Sequence, residues 1–119
     1  MRGETSADDF VAYVGGPMHG SGVLEENVHK AVVVAEELRA AGVMVVLPHL
    51  SVLWNMIHPH VAEFWLENDF ALLRRCDVML RLPGESPGTD LEAALCNVLG
   101  IPVVTEVTNV IDLCHGRHR

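Results

Sequence analysis

Apolar residues gather into four short runs, and between them the spacing changes to that of helices. "FVAYVGG" (10–16), "VMVVLP" (43–48), "DVMLRLP" (77–83) and "PVVTEV" (102–107) are nearly continuous apolar stretches bounded by Gly, Pro or charge, the mark of buried strands. From Val23 to Ala41 the apolar positions Leu24, Val28, Ala31, Ala35 and Leu38 fall on one helical stripe, with Gly42 as its stop. A second helical region is expected from about His60 to Arg75. A third, "GTDLEAALCNVLG", lies between Gly88 and Gly100, and "NVIDLC" adds a last helical turn. The segment from His49 to Pro59 has no clear period.

Strands that alternate with helices and are apolar on both faces predict a parallel sheet covered on each side. The expected fold is therefore α/β, a small doubly wound (Rossmann- or flavodoxin-like) three-layer sandwich with a four- to five-stranded parallel sheet. Ligands in such folds sit beyond the carboxyl ends of the strands, which here means the loops after Val14, Leu47, Leu82 and Val104. Residues 1–9 read as a polar leader, 10–113 as one domain, and 114–119 as a basic tail ending in a frayed "HGRHR".

At 119 residues with 50% apolar and 20% charged content, the chain suits one globular core. No apolar run is long enough to span a membrane, and the opening lacks the hydrophobic centre of a secretory signal, so a cytoplasmic protein is expected. A net charge of −8 argues against a nucleic-acid polymer as partner and leaves a small ligand. Cys76, Cys96 and Cys114 form no CxxC pair and read as buried thiols. Seven histidines, with "HPH" at 58–60, lack the spacing of a metal site, and none is assigned.

Four features carry possible chemistry. Asp69 interrupts the helical stripe Val61, Trp65, Asp69, Leu72, Cys76, so either the helix breaks at Asn68–Asp69 or the acid meets a ligand. Glu92 follows Thr89 by three residues, as in a capping box, and is either that cap or a carboxylate aimed at a ligand. In the second case the helix dipole would favour its ionised form. The loop "GGPMHGSG" either turns the chain or brings amides to a phosphate or sugar hydroxyl. Tyr13, the only tyrosine, ends the first strand and points either to the core or to the rim, and His49 is placed to line that rim.

These pieces together resemble the nucleoside 2-deoxyribosyltransferase superfamily, including its deoxynucleoside monophosphate N-hydrolase branch, over about residues 10–104. "YVGGPM" is similar to the family's first strand and glycine loop, and "VLPH" to the end of its second strand. "ENDFALLRRCDVML" is similar to its acid-bearing helix and third strand, and "SPGTDLE" matches Ser-x-Gly-x-x-x-Glu through Ser86, Gly88 and Glu92. The resemblance implies cleavage or exchange of the N-glycosidic bond of a nucleoside or nucleoside monophosphate through a covalent glycosyl-enzyme. Glu92, cap and nucleophile at once, would attack the anomeric carbon, Asp69 would bind the sugar or protonate the departing base, and Tyr13 would help position the sugar and Glu92. Ser86, Gly88 and the amides about Gly15 and Gly16 would hold the 5′ end. Met18 and His19 stand where the hydrolase branch often carries a serine and an arginine for phosphate, with His19 as the substitute. Asn109 is the candidate for a residue lent by a neighbouring subunit, so a homodimer or larger homo-oligomer is implied. No metal or organic cofactor is implied. A non-catalytic nucleotide-binding or sensing module on the same scaffold is the alternative.

Overall fold

The computed structural model describes residues 9–18 and 24–117. The elements run β1 Val11–Gly15, α1 Leu24–Ala40, β2 Met44–Val46, a 3-10 turn Pro48–Leu50, α2 Ser51–Ile57, and α3 Ala62–Leu73. They continue as β3 Val78–Arg81, α4 Pro87–Leu99, β4 Val103–Val104 and α5 Val107–Arg117. The four strands form one parallel sheet in the order β2-β1-β3-β4, the doubly wound arrangement expected. Because the chain steps to opposite sides of β1, the switch point lies between the ends of β1 and β3, where Gly15 pairs with Arg81.

Strand alternation divides the core in two. Ala12 and Val14 of β1 and Val78 and Leu80 of β3 face α1 and α5, packing with Phe10, Leu38, Val43, Val110 and Cys114. Tyr13 and Met79 take the opposite face and pack with Leu73, Cys76 and Cys96 from the α3 and α4 side. Each fully buried Leu or Val contributes about 1.5–3 kcal/mol, so both faces resist opening. Tyr13 is therefore committed to the layer that carries Asp69 and Glu92, a choice its sequence neighbours leave open.

Three local expectations change. Residues 51–57, without period in the sequence, form the short helix α2. The anticipated break at Asn68–Asp69 does not occur, and α3 runs unbroken from 62 to 73. Its inward stripe is also displaced: Ala62, Trp65, Leu66 and Asp69 share a face at helical spacing and line a cavity, whereas Val61 and Leu72 are exposed. The basic tail is not frayed up to Arg117. α5 continues that far, Cys114 is buried, and Arg117 Nη1 lies 2.8 Å from Asp77 Oδ1. Asp77 Oδ2 also accepts from the Val11 amide at 2.8 Å, tying the start of β1 to that pair. All three cysteines are buried free thiols. Most of the anticipated leader lies outside the described residues. Among those described, no helix is long and apolar enough to cross a membrane.

Candidate functional site

The carboxyl end of β1, the 3-10 turn with α2, the inward face of α3 and the first turns of α4 enclose a cavity of about 510 Å³. That is within the usual range for small-molecule sites and large enough for a nucleoside. Gly15, Gly16 and Met18 line it from the first loop, His49 from the turn after β2, and Ser86, Gly88 and Glu92 from α4, with Asp69 projecting from α3.

α4 begins one turn earlier than the Thr89–Glu92 capping box would require. Ser86 is the N-cap, Pro87 occupies the first helical position, and Ser86 Oγ accepts from the Thr89 amide at 3.2 Å and the Thr89 hydroxyl at 2.9 Å. Glu92 is thus well inside the helix and does not cap it. Its side chain turns inward, 6% exposed, and its Oε2 accepts a 2.5 Å hydrogen bond from the Tyr13 hydroxyl.

Electrostatics follow from this burial. Loss of water raises the Glu92 carboxyl to about 7, with the Asp69 charge adding to the rise, while the Tyr13 hydroxyl and the Arg81 charge pull it back. The helix dipole therefore does not hold Glu92 at an ordinary carboxylate value. Asp69 is half-buried, and desolvation lifts it to about 6 against the lowering influence of the Tyr13 hydroxyl. Burial and both carboxylates drive Tyr13 far above its usual range, so it stays a neutral donor. Arg81, which follows Met79 and Leu80 along β3, is drawn aside into an ion pair with Asp90. Two carboxyl groups that ionise near neutrality, one of them hydrogen-bonded by a phenol, titrate as a coupled pair and can offer a charged oxygen to an electrophile.

Close approach explains the glycines. A Cβ on Gly15 would lie 2.7 Å from Met79 Cε and 3.4 Å from Glu92 Oε1, and one on Gly16 would lie 2.8 Å from Leu82 Cβ. The end of Met79 can swing, but Leu82 Cβ is fixed to the backbone. Gly16→Ala is accordingly expected to destabilise by about 1–3 kcal/mol and by more than Gly15→Ala, measured by urea unfolding. A larger loss from Gly15→Ala would contradict this packing.

His49 is fully buried and neutral, burial holding its imidazole below the usual range, and its Nε2–H donates to the Pro17 carbonyl at 3.2 Å. Asn27 Nδ2 donates to the Met18 carbonyl at 3.1 Å, so the described part of the loop is tied from two elements. His19 lies outside the described residues. Asn109 is exposed on α5 and does not line this cavity. Sequence reasoning missed Asn55, Trp65 and Leu66, and gave His60 no role beyond a metal ligand, yet all four line the wall. Helical spacing 62-65-66-69 was the available signal for the α3 members; none pointed to Asn55. Among the described residues no group of three or more His, Cys, Asp or Glu is placed to hold a metal.

Comparison with known proteins agrees with this architecture. A solved structure of the 2-deoxyribosyltransferase from the psychrotolerant bacterium Bacillus psychrosaccharolyticus superposes with a TM-score of 0.55 at 24% identity, covering 78% of this chain and 69% of that one. The likeness is one of fold. A search of curated proteins finds no match. The profile described as Domain of unknown function (DUF4406) matches residues 10–105, and the chain belongs to that family.

Proposed function

We propose that this protein cleaves, or exchanges the base of, a nucleoside or nucleoside monophosphate through a covalent glycosyl-enzyme on Glu92. The observation that carries the reading is the meeting of Glu92 and Asp69 in one cavity, with the Tyr13 hydroxyl bonded to the Glu92 carboxylate. A pure binding module would gain nothing from a buried and a half-buried acid kept partly out of water at a cost in stability. The 2-deoxyribosyltransferase fold of the solved neighbour supports the same reading.

In this mechanism the ionised Glu92 attacks the anomeric carbon as the C–N bond breaks and its electron pair passes to the base. Asp69 delivers a proton to that base, and the carboxylate stabilises the positive charge that builds on the sugar. Tyr13 keeps one Glu92 oxygen hydrogen-bonded and leaves the other for bonding. Water, giving its proton to Asp69, or a second base then attacks the same carbon, and the bond from that carbon to Glu92 breaks to restore the carboxylate. Ser86, Gly88 and the amides about Gly16 hold the 5′ end, and His49 fixes the loop that carries those amides. The exposed apolar surface of α2 and the start of α3, with Met56 at 73% and Ile57 at 78% exposure, supports assembly into a homo-oligomer.

Incubation with nucleosides, deoxynucleosides, their monophosphates and NAD, followed by chromatography for free base, tests the proposal. Base release is expected, and a new nucleoside on adding a second base would mark transfer. Binding without release across that panel would favour the sensing module instead. Base release should follow a bell-shaped pH profile, rising as the first proton leaves the Glu92–Asp69 pair and falling as the last one leaves, with its centre between about 6 and about 7. Tyr13→Phe removes a group that lowers both carboxyls and should move the whole profile to higher pH. An unmoved profile would mean that this pair does not set it.

A further inference from the structure

Asn55 of α2 lines the cavity with an amide whose orientation is fixed by its neighbours. Its Oδ1 accepts from the His60 backbone N–H at 2.9 Å and from the Trp65 indole N–H at 2.8 Å. Both partners are donors only, so a flipped amide would oppose donor to donor. The oxygen is thereby used, and Nδ2 has no partner among the described residues. Around it the wall is flat and largely apolar: Trp65, Leu66 and Val52 line the same cavity, and the His60 ring there stacks on Phe64 at 3.7 Å between centroids. A lone two-hydrogen donor set among aromatic and aliphatic walls suits a planar heterocycle with a carbonyl oxygen at its edge.

We propose that Asn55 selects the base, donating through Nδ2 to a ring carbonyl, so that the cavity takes oxo bases in preference to their amino counterparts. This rests on the N-glycosidic reading and adds the substrate class to it. An amino base would turn its exocyclic NH2 toward the Asn55 NH2, leaving donors on both sides without an acceptor.

The test compares matched pairs, deoxyinosine with deoxyadenosine and deoxyuridine with deoxycytidine, by kcat/KM for base release. The wild type should favour the oxo member of each pair by about tenfold or more. Asn55→Asp keeps an acceptor for His60 and Trp65 but replaces the donor with an acceptor, and should reverse the order. Asn55→Ala, which adds no charge, should level the pairs and serves if the aspartate variant does not fold. Equal use of both members by the wild type, or an unchanged preference in a folded variant, would overturn the assignment while leaving N-glycosidic cleavage standing. Failure of the wild type to release base from any nucleoside or nucleoside monophosphate would remove both.

Discussion

Glu92→Gln is expected to lower base release by at least about a thousandfold while leaving nucleoside binding within a few-fold of wild type. Glutamine has the same shape and can still accept from the Tyr13 hydroxyl through its amide oxygen, so the 2.5 Å contact has a substitute and the cavity keeps its form. What it lacks is a charged oxygen able to bond to carbon. Calorimetric titration of a nucleoside separates the two effects, because a merely structural role would weaken binding and turnover together. Mass spectrometry of quenched wild-type reactions should find a sugar adduct on the peptide carrying Glu92, absent in the variant. A variant rate within tenfold of wild type would place the nucleophile elsewhere.

The same substitution should make the protein more stable at alkaline pH. Glu92 has a native value of about 7 against an ordinary 4.5, so between those limits the folded chain holds a proton that the unfolded chain has released. Stability then falls as pH rises across that window, and the contribution is lost once Glu92 ionises. Asp69, raised from 3.8 to about 6, acts in the same direction over a lower window. For Glu92 alone the effect is about 3 kcal/mol. Urea unfolding at about pH 8 should therefore show Glu92→Gln more stable than wild type by about 3 kcal/mol, with the gap closing toward about pH 4.5. Parallel stability curves for the two proteins would show that the buried carboxyl carries no such cost. Loss of turnover with a gain in stability is the signature of a group kept for chemistry.

The order of elements was legible because each strand is a continuous apolar run and each long helix has a stripe. α2 was not, since "SVLWNMI" is short and leaves Leu53, Trp54, Met56 and Ile57 largely exposed, so burial imposes no period on it. In the site, Ser86, Thr89 and Glu92 stand three apart, and the sequence offers two overlapping capping registers. Pro87, favoured at the first helical position, was the signal for the earlier one. Tyr13 required knowing that β1 lies between β2 and β3 and which face α3 and α4 cover. Asn55 was beyond reach, because its orientation comes from an indole ten residues away across a turn.

Capping by Ser86 also sets a rule for which lengths of chain this architecture can tolerate. Each residue added inside a helix turns everything beyond it by about 100°. One residue inserted between Ser86 and Glu92 would swing the carboxylate away from the phenol, whereas one added in the exposed residues 83–85 would be absorbed before the helix begins. The six-residue step from serine to glutamate is a ruler, and the span ahead of it is slack.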